Sequence, residues 1–262
     1  MERYALRHAK AVIATSPRSA RTLADRCREL KHDAQVTCLY NGFDPDDFDS
    51  IARLTPQRPS RCTWRLVYTG TLFSLTSPKP LVDAIEHLAK SEPRLVQKLE
   101  FVLAGRRTAE QDQLIRRLSP LCRLETHDYV AHEHAIRLML SADVMCVLLS
   151  DVVGAARVIP AKIFEYFAAR RPILGIVPKG DAWDLLSDHP AAFTYEPHDV
   201  PGICAWLSRW LRNEAFLPDG ASLDLRAYDR RAQAESLAAV LNDVAASAGP
   251  VHRMTEANAY SG

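Results

Sequence analysis

Arg157–Pro178 reads RVIPAKIFEYFAARRPILGIVP, and the pattern of this stretch decides what fold the rest of the chain can have. Val158-Ile159-Pro160 leads up to a helix start. A proline at the first helical position gives up an N–H that has no partner there anyway, and its φ is already helical. Ile163, Phe164, Phe167 and Ala168 recur at helical spacing and would bury one face. Arg170-Arg171 fall in the last turn, where cations complement the helix dipole. Pro172 stops the helix. Ile173-Leu174-Gly175-Ile176-Val177 is then a short apolar run of the kind found in parallel sheets.

Two polar residues in this stretch call for a reason. Lys162 lies in the first helical turn, beside free backbone N–H groups, where a cation is unfavourable unless an anion arrives to share the site. Glu165 follows one turn later. A carboxylate accepts two hydrogen bonds at once and so matches a vicinal diol such as a ribose. An anion at the helix start with a diol one turn deeper describes a nucleotide diphosphate lying along the helix. A solvated lysine and glutamate on an ordinary amphipathic helix fit the same spacing.

Outward from this stretch, strands and helices alternate. The spacing predicts strands at Arg65–Thr69, Leu99–Ala104, Arg123–Thr126, Asp143–Leu149 and Ala191–Tyr195. Helices are predicted over Pro80–Lys90, Ala109–Leu118, Glu133–Ser141, Trp183–Ser187 and Val200–Arg212. Such alternation implies a mostly parallel, doubly wound α/β sheet, which binds ligands outside the carboxyl ends of its strands. Gly70-Thr71 follow the first of these strands and Gly105-Arg106 the second. A glycine at such a position lets the backbone approach a ligand closely, and it serves equally as a plain strand-end turn. His127, His132 and His134 cluster, but no cysteine or acidic partner stands at zinc-like spacing, so no metal site is expected.

The segment Pro160-x-Lys162-x-x-Glu165-Tyr166 resembles the donor-binding motif of family-4 glycosyltransferases, which have the two-domain GT-B fold. The resemblance implies that Glu165 holds the ribose of a nucleotide sugar and Lys162 its phosphates, the two carrying the catalytic role. The loop Ile159-Pro160-Ala161 would face the diphosphate and the sugar. Gly70, Thr71, Lys79, Gly105 and Arg106 would surround the diphosphate, and the backbone of Val130 would meet the base. The sequence departs from the family pattern in three places. Arg157 stands where a first glutamate is usual, Ile159-Pro160 where Phe-Gly is, and Thr71 where an arginine follows the glycine. Lys79 is a substitute for the family's lysine at imperfect spacing.

The first fifty residues look like the end of a domain rather than its start. Ala11–Thr15 and Val36–Tyr40 read as strands around a helix from Pro17 to about Leu30, opened by Ser16 as N-cap. One β-α-β unit cannot bury both sides of a sheet. Asn41-Gly42-Phe43-Asp44, with Phe48 four residues on, resembles the family's crossing from its N-terminal, acceptor-side domain to the second. The implied organisation is a remnant of the N-terminal domain over 1–49, a polar linker over 50–63 and a donor-binding domain over 64–224. A C-terminal helix over 225–247 would cross back toward the first domain, followed by a disordered tail over 248–262.

Composition is that of a globular protein. The 262 residues are 47 % apolar and 25 % charged, with a net charge of +1, which lacks the basic bias of a nucleic-acid binder. Six cysteines are scattered without CxxC pairs, as expected of free thiols in a reducing, cytoplasmic compartment. No run is long and apolar enough to span a bilayer; contact with the inner face of a membrane stays open. What the resemblance implies is a glycosyltransferase, of retaining type, moving a sugar from a nucleotide-diphosphate donor to a hydroxyl of an acceptor glycan or lipid-linked sugar in surface polysaccharide synthesis, without metal or other cofactor. The alternative is a catalytically incomplete nucleotide-sugar-binding subunit that needs a partner chain to supply the N-terminal domain.

Overall fold

The computed structural model describes residues 1–52, 63–215, 217–218 and 224–247. In chain order the first elements are α1 (Glu2–His8), β1 (Ala11–Ala14), α2 (Pro17–Glu29), β2 (Gln35–Cys38), α3 (Pro45–Ala52) and β3 (Trp64–Thr69). Then come α4 (Lys79–Ser91), α5 (Pro93–Val96), β4 (Leu99–Ala104), α6 (Ala109–Arg116), β5 (Arg123–His127), α7 (His132–Leu140) and β6 (Val144–Leu148). The chain continues with α8 (Lys162–Ala168), β7 (Ile173–Ile176), α9 (Asp181–Ser187), β8 (Ala192–Tyr195), α10 (Val200–Leu211) and α11 (Arg230–Ser247).

A six-stranded sheet runs in the order β5-β4-β3-β6-β7-β8, and β1 and β2 form a separate two-stranded sheet. Every pairing among the described residues is parallel. The chain begins the larger sheet at its middle, runs outward through β4 and β5, and returns to lay β6 against the other side of β3. The order reverses between β3 and β6, and crevices in doubly wound sheets open at such a point.

Both faces of the large sheet are covered, which is why its strands are near-continuous apolar runs. Leu66, Phe101, Cys146 and Leu174 face α4 and α10, where Trp206 and Trp210 are fully buried. Val67, Val102, Met145 and Ile173 face α3, α7, α8 and α9. Glu100, the charged residue in β4, is only 2 % exposed. It is paired with Arg65 at 3.2 Å and Arg123 at 3.3 Å, as a buried carboxylate must be. α8 is held from below by rings: Phe164 and Phe167 pack on Tyr228, with centroids 5.0 and 5.9 Å away.

The structure departs from expectation in several places. α8 begins at Lys162 rather than Pro160, because the Ile163 amide closes a tight three-residue turn onto the Pro160 carbonyl at 3.0 Å. Its end is also earlier. Arg170 takes a left-handed φ of 52° and Arg171 donates to the Leu140 carbonyl, so neither arginine sits in the last helical turn. Pro45 opens α3, whose last turn reaches beyond residue 50, where the linker was expected. The helix expected from Leu225 starts at Arg230, after a short turn over Arg226–Tyr228, and leaves Leu237 and Leu241 exposed. Most of the expected linker, and the tail over 248–262, lie outside the described residues.

Candidate functional site

A cleft of about 420 Å³ opens at the carboxyl ends of β3, β4 and β5, with α7 and α8 as its far wall. Tyr166 sets the position of α8. Its hydroxyl accepts the backbone N–H of Thr69 at 2.9 Å, at the very end of β3. That tie brings Lys162, one turn earlier on the helix, across the turn that follows β3. The Lys162 Nζ lies 3.7 Å from the centroid of the Tyr68 ring, a cation–π contact that favours the charged amine. The Tyr68 hydroxyl in turn donates to the Thr71 carbonyl at 3.0 Å.

Glycine is required twice at this point. Gly70 has φ +121°, and a Cβ there would lie 2.6 Å from the Lys162 Nζ. Gly105 has φ +146°, and its Cβ would fall 2.0 Å from the Gly70 carbonyl oxygen. The two strand-end turns are thus stacked backbone on backbone, with the lysine across the outer one. Leu72 N–H donates to the Arg106 carbonyl at 2.9 Å and Thr108 N–H to the Leu72 carbonyl at 3.2 Å, which locks the two turns together.

Neither the Lys162 amine nor the Glu165 carboxylate makes a hydrogen bond to another of the described residues, although both residues are partly buried. Burial drives each toward its neutral form. It pushes the Lys162 amine down to about 7, against the opposing pull of Cys146 and Glu165. It raises the Glu165 carboxyl, against the opposing pull of His132, Arg230 and Lys162. Two ionisable groups facing a cleft without protein partners form an arrangement that a polar ligand can complete. α8 has only seven residues, so the positive charge available to an anion here is that of the lysine more than of a helix dipole.

Of the residues singled out in the sequence, Gly70, Thr71, Gly105, Arg106, Val130, Lys162 and Glu165 line this cleft together. Lys79 does not: it opens α4, 61 % exposed, and pairs with Asp83 one turn on. Ile159 is buried in the core beneath α8, and Pro160 and Ala161 lie at the helix entry outside the cleft lining. Arg106 and Arg107 part ways. Arg107 is held by the Gly105 and His127 carbonyls and by Asp112 and Asp128. Arg106 stands at the rim with its guanidinium 5.6 Å from the Tyr129 ring centroid. Tyr129, 77 % exposed, lines the cleft and was missed as a side chain; an aromatic residue at a strand end with nothing to bury it was the available signal. His132, also in the lining, bonds to Asp47 at 3.0 Å, and His127 to Glu125 at 2.7 Å. No group of three metal-ligating side chains comes together among the described residues.

The architecture has close parallels among solved structures. A trehalose-6-phosphate synthase from Burkholderia multivorans superposes with a TM-score of 0.68 at 11 % identity, over 94 % of this chain and 62 % of that one. HepE of Anabaena, solved with UDP and glucose, does so with a TM-score of 0.69 at 18 % identity, over 91 % and 65 %. The fold is that of the GT-B glycosyltransferases. The large sheet is Rossmann-like and parallel, as in half of a GT-B fold, and β1 and β2 form a separate, smaller sheet. The pneumococcal O-GlcNAc transferase GtfA, solved with UDP and GlcNAc, shares it with a TM-score of 0.63 at 14 % identity, over 92 % of this chain and 47 % of that one. The chain thus spans less than two thirds of the length of these GT-B structures. By sequence, the chain matches no protein-family model and no curated protein. No helix among the described residues is long and apolar enough to cross a membrane.

Proposed function

We propose that this chain binds the nucleotide-diphosphate sugar donor of a glycosyltransferase reaction of the family-4 type, with Glu165 on the ribose and Lys162 on the diphosphate. The observation that carries the reading is the pair itself. A cation and a carboxylate, one helical turn apart, face one cleft at the carboxyl ends of a doubly wound sheet, and neither has a protein hydrogen-bond partner among the described residues. The Gly70-Thr71 and Gly105-Arg106 turns admit the diphosphate close to the backbone, and the Tyr129-Val130 loop takes the base. UDP in the solved HepE and GtfA structures supports a nucleotide ligand for a fold of this kind.

In the reaction, the bond from the sugar C1 to the leaving phosphate oxygen breaks and a bond from the acceptor hydroxyl oxygen to C1 forms. The acceptor proton departs with the diphosphate. The charge that builds on the leaving phosphate needs a fixed cation in a cleft with little water, and Lys162 supplies it without a metal. Retention at C1, an acceptor in surface polysaccharide synthesis and a cytoplasmic site of action, at or near a membrane face, belong to the same proposal. Activity requires an acceptor-side domain, and β1 and β2 are proposed to be two strands of it.

Thermal unfolding with and without nucleotide sugars tests the reading. A ligand present at a hundred times its dissociation constant adds about 2.7 kcal/mol to stability. The expected result is stabilisation by a uridine or guanosine diphosphate sugar. Glu165→Ala should lose about 1.5–3 kcal/mol of that binding, the worth of hydrogen bonds to a charged group. Wild-type protein indifferent to both nucleotides would refute it.

A further inference from the structure

The cleft is held in shape from outside the large sheet. The chain between β6 and α8 ends its short turn over Ala155–Arg157 just before the segment that delivers Lys162 and Glu165. The carbonyl of Arg157 accepts the hydroxyl of Ser16 at 2.6 Å and that of Ser19 at 3.3 Å. Ser16 is buried, and its oxygen also caps α2 by accepting the Ser19 N–H. On the other side, Gly180 presses against this turn: a Cβ there would lie 2.3 Å from the Ala156 carbonyl oxygen. Next to Gly180, Asp181 has a side chain only 2 % exposed. Its carboxylate takes the backbone N–H of Arg18 at 2.9 Å and the guanidinium of Arg18 at 2.7 Å, which also reaches Asp184 at 2.7 Å. One helical start, on the small β-α-β unit, thus bonds both to the turn before α8 and to the turn that backs it.

The geometry points to Ser16 and Arg18 as positioning residues for the nucleotide cleft: through the Arg157 carbonyl and Asp181 they fix the segment that sets Lys162 and Glu165. The argument rests on the donor-binding reading above. Ala155 and Ile159 anchor this segment in the core, and the bonds to the Arg157 carbonyl fix the backbone between them and the start of α8. The same contacts make the small unit and the donor cleft one mechanical piece. A shift of α2 relative to the large sheet has to move the Arg157 carbonyl, and with it the start of α8.

The test is a set of nucleotide affinities measured on the full chain with UDP, and with GDP alongside, by calorimetry or ligand-observed NMR. Arg18→Ala is expected to weaken UDP by about tenfold, while in a Lys162→Ala background the same change should cost less than about twofold, because the two act through one geometry. Arg18→Lys, which keeps the charge and the backbone bond to Asp181, should recover most of the affinity. If Arg18→Ala does not fold, Ser19→Ala carries the same comparison, since it removes one of the two bonds to Arg157. Wild-type affinity in Arg18→Ala, or equal losses in both backgrounds, would overturn the inference while leaving nucleotide binding intact. A wild-type protein that binds neither nucleotide would overturn both.

Discussion

The most informative perturbation of this cleft is pH. With the cleft empty, burial holds the Lys162 amine near 7. A bound diphosphate brings opposite charge into contact, and such contacts raise a lysine pKa by about 1–3 units. Binding above neutral pH must then draw a proton onto the lysine, so affinity falls as pH rises from the empty-state value toward the bound one. For a bound value of about 8 to 10, proton linkage gives a loss of about 5- to 50-fold between pH 7 and pH 9. Phosphate groups complete their last ionisation near pH 6, below this window, so the loss belongs to the protein. The assay is isothermal titration of UDP or GDP at half-unit pH steps, repeated in two buffers of different ionisation enthalpy to count the proton taken up. Lys162→Arg, whose guanidinium stays charged throughout, should flatten the profile. Wild-type affinity that is level from pH 7 to pH 9, with no proton uptake, would refute the reasoning.

Other outcomes follow from the same geometry. In the empty protein the folded lysine value lies below the unfolded one, so the unfolded chain holds more protons between about 7 and 10.5 and stability rises with pH across that window. Lys162→Met should remove this slope and raise Tm near pH 7 by about 2–4 °C, the equivalent of about 1 kcal/mol in a domain of this size, while weakening nucleotide binding; an unchanged Tm profile would show that the amine is not desolvated. Gly70→Ala places a Cβ 2.6 Å from the Lys162 Nζ at φ +121°, and should cost about 1–3 kcal/mol in denaturant unfolding together with most of the nucleotide affinity; a neutral effect on both would mean that the turn can relax. Tyr166→Phe strips the Thr69 N–H of its acceptor and should destabilise by about 1–3 kcal/mol, the cost of a buried unpaired donor, as read by urea midpoint.

Much of the fold could be read in the sequence, because a doubly wound sheet needs apolar strands of five or six residues spaced by amphipathic helices, and this chain obeys that at Leu99–Ala104 and Val144–Leu148. The strand order followed from no local signal; it depends on which strand β6 pairs with. α3 carried its own signal, a proline followed by Asp46-Asp47 in the first turn, masked by the Asn-Gly turn before it. The site was legible as residue types at strand ends and on one helix. What brings it together was not. The tie between Tyr166 and Thr69 spans 97 residues and that between Ser16 and Arg157 spans 141, and no pattern in a single sequence reports such pairs. Lys79 shows the converse. A lysine at imperfect spacing was assigned to the ligand, but its side chain has Asp83 one turn away on the same helix and turns toward it. Arg107 is likewise held by the Gly105 and His127 carbonyls, contacts that no local pattern in the sequence reports.

The central claim is one of placement, and a crystal structure of the chain grown with UDP or GDP tests it most directly. The account expects the β-phosphate within about 3 Å of the Lys162 Nζ and both ribose hydroxyls on the Glu165 carboxylate. Nucleotide bound away from α8, or a ribose turned from Glu165 with the carboxylate still unpartnered, would contradict it.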